Sequence, residues 1–498
     1  MTNHPKESKK FCFFEVVINF NRSDFVLVSK DVQKSKLEGA IDFGSYRFKS
    51  TEPYDSSETN HCRCLLIGQV YSSLEPKWGR AEICNYLARA SGRDGFIRST
   101  HHLTGRFLTV FSIDGETYVM SDAMGQFEVY FNDDCSVIAS SPNLMGSQMK
   151  LENHTGEMAD LYSQIAKTTC IQIGTTTKFR RVRHLMPNHL IDVNQKSQVR
   201  FYPTKEQFNT TLDLNEAAKT LASEMRNFAK SIKKVSRLAM PVTGGNDSRI
   251  LLGAFKGVNF KTFVFDHPDS NRAKKDIALA KRVLKTQDRE LEIIFYKKEL
   301  DQAGKKFYDG KAVVPRDESK TYIWNAYQKY LSNHVILFGH GGEVGRSFLK
   351  NIKNVNAKKL AVLMSFPGNK TVEEEMQKWL DELHPSILDS ENLMDLFYWE
   401  QRMGNWGARI LTEISYVTNI FSPMNARSIL ETMLLVPKKH RQFAGNDLAK
   451  KLITHLDRSL LSVPINPSLK YRIFWWMIRL RVYDLYQNLR LNLIVKRS

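Results

Sequence analysis

The chemistry of this chain is concentrated in Thr243-Gly244-Gly245-Asn246-Asp247-Ser248. An apolar run at 236–242 reads as a strand leading into it, and a helical pattern at 249–255 follows. Glycines at a strand-to-helix turn let backbone N–H groups approach a phosphate closely, and the helix N-terminus adds partial positive charge. Thr243 and Ser248 can add hydroxyl donors. Asp247 is a poor phosphate ligand alone but a good ligand for a phosphate-bound Mg²⁺. The loop lacks the Gly-Lys-Ser/Thr ending of a Walker A motif, and it is not a Rossmann fingerprint. A tight turn with a capping Asp is the plain structural alternative.

Such a loop needs a parallel sheet to hold it, and the surrounding pattern predicts one. Helical patterns at 215–233, 249–255, 272–285 and 322–331 alternate with apolar strands at 236–242, 260–265, 291–296 and 335–338. That alternation implies parallel β-α-β units. The first two hundred residues read differently. Short apolar runs at 11–20, 64–71, 107–113, 117–121, 128–132 and 137–139 are separated by turns such as Asp114-Gly115. They predict an antiparallel, sandwich-like domain. From residue 355 onward the chain reads as mostly helical.

Length and composition fit this division. A chain of 498 residues holds two or three domains. Its 42 % apolar and 25 % charged residues exclude a collagen or a disordered tail. No stretch reaches the roughly 20 uncharged apolar residues of a membrane helix. Glu15 interrupts the apolar run near the start, so a secretory signal is not expected. Six cysteines do not make a disulfide framework, and Cys62 and Cys64 lack a second pair at zinc-binding spacing. The net charge of +19, from 72 basic and 53 acidic residues, favours anionic partners. It is densest at the end, where Lys470, Arg472, Arg479, Arg481, Arg490, Lys496 and Arg497 face only Asp484. With Trp475 and Trp476 among them, this tail reads as a basic amphipathic helix. It either packs on its own domain, the favoured reading, or contacts an anionic membrane surface.

The loop is similar to the Ser-Gly-Gly-x-Asp-Ser pyrophosphate loop of the asparagine synthetase family, with Thr243 for the first Ser. Arg249 follows where that family usually has Ser, as in a branch found beside polysaccharide- and peptide-modification genes. Further matches come in order. Asp276 and Ala280 resemble an Asp-x-x-x-Ala pattern. Gly339-His340-Gly341-Gly342-Glu343 resembles the Ser-Gly-x-Gly-x-Asp-Glu loop, with Glu343 for the usual acid and His340 for another. Phe421-Ser422-Pro423-Met424-Asn425 resembles a Pro-Phe-Leu-Asp segment, with Asn425 for the Asp. Lys450-Lys451-Leu452-Ile453 resembles a late Lys-x-Leu-Leu-Arg. In the N-terminal half, Thr104-Gly105-Arg106-Phe107, Ser121-Asp122, Gly125-Gln126 and Ala139-Ser140-Ser141 resemble the family's class II glutaminase domain.

The resemblance implies an α/β chain in three parts. These are a degenerate, glutaminase-like αββα Ntn-hydrolase-like sandwich over 1–208, an ATP-binding PP-loop domain with a helical C-terminal part over 209–464, and a basic tail over 465–498. It implies ATP and Mg²⁺ as cofactors. The 243–248 loop, with Gly341 and Gly342, would hold pyrophosphate, and Val242 and Phe265 the adenine. Asp247 and Glu343 would hold metal, and Lys450, as the cation that stabilises pyrophosphate, and Glu343 would be the catalytic residues. Glutaminase chemistry is not expected. Cys12 lies inside a predicted strand, Thr2 is a weak alternative nucleophile, and the oxyanion-stabilising Asn is replaced by Ile67.

β-Lactam synthetases, lasso-peptide cyclases and polysaccharide-modifying relatives share such losses. The implied activity is an AMP-forming ligase that joins a small-molecule or glycan carboxylate to an amine or ammonia. The alternatives are a glutamine-dependent amidotransferase and a catalytically inactive scaffold. Nucleic acid is not an expected partner, a homodimer is left open, and the expected location is the cytoplasm or the inner membrane face. Trp406, Arg409, Glu413 and Tyr416 are the candidate pocket lining.

Overall fold

The computed structural model describes the chain apart from residues 1–23, 33–36, 169, 205–209, 267–270, 296–304, 307, 309–321, 350–351, 443–444, 466–472, 474–475, 478–481 and 498. The strand expected at 11–20, with Cys12, and Thr2 lie outside the described residues. So do Lys470, Arg472, Trp475, Arg479 and Arg481 of the tail.

The N-terminal strands are β1 Phe25–Ser29, β2 Ile41–Phe43, β3 Tyr46–Ser50, β4 Tyr54–Glu58, β5 Cys62–Ser72, β6 Leu103–Ile113, β7 Glu116–Ser121, β8 Tyr130–Asn132, β9 Val137–Ala139, β10 Val182–His184, β11 His189–Asp192 and β12 Ser197–Arg200. They form two six-stranded sheets, β10-β8-β9-β1-β3-β2 and β12-β11-β7-β6-β5-β4. The pairing is antiparallel, as in Cys62 opposite Ile113 through Ser72 opposite Leu103.

Side chains of β5 alternate between two cores. Leu65 and Ile67 share a core with Phe25, Leu27 and Phe131 of the facing sheet. Cys64, Leu66 and Val70 meet Ile83, Leu87 and Phe96 of the helices Arg80–Leu87 and Gly92–Ser99. A strand covered on both faces reads as a near-continuous apolar run, which is why 64–71 shows no polar alternation. Val26, Val28, Val137 and Ala139 cover the outer face of the other sheet, against Leu144, Leu161 and Ile165. The layers therefore run helix, sheet, sheet, helix.

Five later strands, β13 Leu238–Pro241, β14 Lys261–Asp266, β15 Glu292–Phe295, β16 Val335–Leu337 and β17 Asn419–Phe421, form a parallel sheet in the order β15-β14-β13-β16-β17. Ala239 pairs with Lys261 on one side and Ile336 on the other. The chain fills one side of β13 first, through the helices Asn246–Ala254 and Asn271–Lys285, and then crosses to β16 on the other side. In such a sheet the crevice beyond the carboxyl ends of the two strands flanking the reversal is where ligands bind. Here those strands are β13 and β16.

Candidate functional site

β13 ends at Pro241, and the Val242 N–H donates to the Phe263 carbonyl at 2.9 Å. The chain then folds on itself. Ser248 Oγ accepts the Thr243 N–H at 3.1 Å, and the Gly245 N–H donates to Thr243 Oγ1 at 3.3 Å. Gly245, in extended backbone, caps the helix Asn246–Ala254 without a side-chain acceptor. Asp247 lies inside the first turn and is not the cap, so the simple capped-turn alternative does not describe this loop. The first-turn N–H groups have no side-chain acceptor, an arrangement suited to an anion.

The opposite wall follows β16. Gly339, His340, Gly341 and Gly342 lead to Glu343 and a 3₁₀ turn at Val344–Arg346. Gly341 has φ +106°, a backbone that disfavours any side chain, and its N–H donates to Glu343 Oε2 at 3.0 Å. A β-carbon on Gly342 would come within 2.3 Å of Asp247 Oδ1, and one on Gly339 within 3.1 Å of the Asp247 β-carbon. The two glycine loops thus touch at Asp247.

One guanidinium joins the two carboxylates: Arg346 Nη2 is 3.1 Å from Asp247 Oδ2 and 2.8 Å from Glu343 Oε1. Asp247 Oδ1 is buried without a hydrogen-bond partner, and so are Asn246 Oδ1 and His340 Nδ1. Burial pushes the Asp247 carboxyl up to about 7 against the pull of Arg346, with Glu343 adding to the rise. Burial would also raise Glu343, but Arg346, His340 and backbone N–H donors together hold it below the usual carboxylate range. Burial lowers His340 and so favours the neutral imidazole. Tyr398 is near enough to be influenced by Glu343, Arg346 and Asp247. It opens a π-helical stretch, Tyr398–Gly407, a rare form that recurs at functional sites.

Two carboxylates with a free, buried oxygen suit Mg²⁺, which keeps its waters and usually takes one or two carboxylates plus phosphate oxygens. Among the described residues no group of three or more His, Cys, Asp or Glu could hold a metal by itself. Asp247 and Glu343 can supply the one or two carboxylates that an ion arriving with a polyphosphate would need.

Other expected positions are scattered around this crevice. Val242 is fully buried. Phe265, partly buried, packs edge-on against Tyr327 at 5.0 Å and Phe263 at 5.3 Å. Asp276 is partly exposed, whereas Ala280 is in the core. Lys450 is exposed on the helix Asp447–Asp457, whose buried face packs on the helices Leu214–Ile232 and Asn246–Ala254. No described contact brings Lys450 to Asp247 or Glu343, and the cation that touches both is Arg346. The sequence reading passed over Arg346, although its position three residues after Glu343 is the spacing of a helical ion pair.

Six other residues belong to the framework. Asn425 is fully buried between the two halves, with Oδ1 accepting the Met124 N–H at 2.8 Å and Nδ2 donating to the Gly105 carbonyl at 2.7 Å. An ionised Asp could not make that second bond. Arg409 and Glu413 form a buried pair at 3.1 Å, and Arg409 also donates to the Cys170 carbonyl at 2.7 Å. They and the buried Tyr416 pack at this joint. Arg249, fully buried, donates to the carbonyls of Leu460, Val463, Pro464 and Gly244, tying the loop to the chain's last third. Ile67 lies in the core between the sheets. Burial pushes Cys62 up to about 11 and Cys135 up to about 12, so neither is a thiolate nucleophile at neutral pH.

Fold and site together define an α/β protein with a double antiparallel sheet and a parallel sheet whose reversal carries two touching glycine loops. No family model matches the chain, and no curated protein matches it. Among solved structures it is similar to the glutamine phosphoribosylpyrophosphate amidotransferase of B. subtilis complexed with ADP and GMP, at 10 % identity over 67 % of this chain and 88 % of that one, with a TM-score of 0.23. It is also similar to a structure described as the allosteric regulatory enzyme of purine biosynthesis, at 9 % identity over 71 % and 73 % of the chains, again with a TM-score of 0.23. Likeness at that score carries no weight for function.

Proposed function

We propose that the chain is an ATP-dependent, AMP-forming ligase that makes amide bonds, of the kind its sequence resembles, without a glutaminase of its own. The observation that carries this reading is the contact of the 243–248 and 339–343 loops at the switch point. There Asp247 keeps one buried oxygen free beside Glu343 and Arg346.

In this reading the first-turn N–H groups, Thr243 and Ser248 hold the departing pyrophosphate, with Gly341 and Gly342 closing over it. Val242 and Phe265 border the adenine. A substrate carboxylate oxygen attacks the α-phosphorus of ATP, and the bond to the β,γ-pyrophosphate breaks. An amine then attacks the acyl carbon of the acyl-adenylate, AMP leaves with the bonding electrons, and the amine's surplus proton passes to solvent. Asp247 and Glu343 would hold Mg²⁺, which when bound neutralises the phosphate charge. Arg346 balances the two carboxylates before nucleotide arrives and is a cation beside the loops that would hold the phosphates. Lys450 is a second cation whose exposed side chain would have to reach inward.

Two observations favour this over the alternatives. Asn425, whose replacement of an acid motivates an inactive scaffold, is accounted for by its bonds at the joint. Ile67, at the position of an oxyanion donor, is core and offers no N–H or O–H from its side chain.

The test is a trapping assay with ATP, Mg²⁺, a panel of carboxylates that includes uronic acids, and hydroxylamine as the amine. Carboxylate-dependent AMP, pyrophosphate and hydroxamate are expected, with a loss of more than about 100-fold in Asp247→Ala. Release of ADP and phosphate instead would contradict an adenylating enzyme.

A further inference from the structure

The last described helix, Val482–Arg497, shows two apolar faces where a docked surface helix needs one. It packs against the helix Ala357–Leu363, with Leu491 buried and Asn488 Oδ1 accepting the Lys353 N–H at 2.8 Å. The favoured expectation of a tail packed on its own domain is thus met on that side alone. Val482, Leu485, Tyr486, Leu489 and Leu493 are between 47 % and 61 % exposed. At 3.6 residues per turn these five fall within an arc of about 100°, roughly opposite Leu491. Ile473 and Trp476 are exposed as well. Half of the exposed large apolar side chains among the described residues therefore lie between 473 and 493.

Charge decides what covers this stripe. Arg490 and Arg497 line one edge of it on the helix, and Lys496 falls within its arc at the helix end. After Ile465 the chain carries seven basic residues and one acid, within a protein of net charge +19. Apolar side chains edged by arginines, with aromatics nearby, match an anionic bilayer surface, where the stripe enters the acyl boundary and the guanidinium groups meet lipid phosphates. No helix among the described residues is long and apolar enough to cross a membrane.

We propose that the Val482–Arg497 helix docks the protein onto an anionic lipid surface, lying in its plane. The inference is independent of the ligase reading, because it uses none of the crevice residues. The test is co-sedimentation of the full chain with vesicles of phosphatidylcholine alone, or of phosphatidylcholine with an equal part of phosphatidylglycerol. Wild-type chain should bind the anionic vesicles at least about tenfold better, and less well in high salt. Leu485→Ser with Leu489→Ser, and separately Arg490→Glu with Arg497→Glu, should each remove about tenfold of that binding. Both pairs are exposed, so thermal unfolding should stay unchanged and exclude misfolding as the cause. Equal binding to both vesicles, or binding to neither, overturns the proposal. So does a wild-type dimer that the leucine variant converts to monomer while lipid binding stays the same, which would assign the stripe to a second copy of this chain.

Discussion

Asp122 is a buried aspartate just beyond the end of β7 in the sandwich, and Asp247 is a partly buried one, with a buried Oδ1, in the first helical turn after β13 in the parallel-sheet half. Asp122 accepts the backbone N–H groups of Gln126 at 2.8 Å, Phe127 at 2.9 Å and Phe107 at 3.3 Å. Asp247 leans on Arg346 through Oδ2 and leaves Oδ1 with nothing. A satisfied buried carboxylate holds a fold together, whereas an unsatisfied one costs stability and is kept where a ligand completes it. The same contrast separates the polar joint between the halves, where Asn425 bonds to Gly105 and Met124, from the crevice between β13 and β16.

Removing each aspartate in turn separates the two roles. Asp122→Ala strands three buried N–H groups and should cost about 3 kcal/mol or more in urea unfolding, whereas Asp247→Ala should change stability by less than about 1 kcal/mol. Equal losses would mean that Asp247 is also framework. Asn425→Asp comes next. It loses the bond to Gly105 and buries an acid, so it should cost about 2 kcal/mol without raising AMP release above the wild-type level, as read by urea unfolding and the trapping assay.

The crevice is then sharpened by pH. Asp247 must lose its proton to meet a cation, and burial sets its midpoint at about 7. Its ionised fraction, and with it the Mg²⁺-dependent affinity for nucleotide, should rise about tenfold from pH 6 to pH 8. Calorimetry across that range reads the slope. Because Arg346 opposes the rise, Arg346→Ala should move the midpoint up by about one unit. Lys450→Ala, at an exposed position with no described contact to Asp247, should leave the midpoint in place. A matching shift in both variants would put Lys450 back beside the loops.

Periodicity located the parallel sheet closely. The helix read at 322–331 is Tyr322–Leu331, and the strand read at 335–338 is β16. These elements are continuous in sequence and covered by their neighbours, so local pattern is enough. β17 was missed because three residues, Asn419–Phe421, sit in a mostly helical stretch and become a strand only by pairing with β16. β2 and β3 were missed for a related reason. Ile41 is exposed and Arg47 and Lys49 interrupt the apolar pattern, so neither strand shows a run. Within the site, the glycine loops were legible because their spacing is local. Arg346 as the shared cation, and the π-helical turn that brings Tyr398 near, depend on contacts across the crevice that no spacing reveals. Asn425 stood out as a missing acid for the same reason, since its partners lie about three hundred residues earlier in the chain.

In the proposed function Asp247 is held unsatisfied for a metal–nucleotide ligand. Calorimetry with a non-hydrolysable ATP analogue and Mg²⁺, on the wild-type chain and on Asp247→Ala, tests it without any guess about the carboxylate. Mg²⁺-dependent binding should weaken by more than about 100-fold in a variant that remains folded. Undiminished binding in the variant, or none in the folded wild type, would contradict that role.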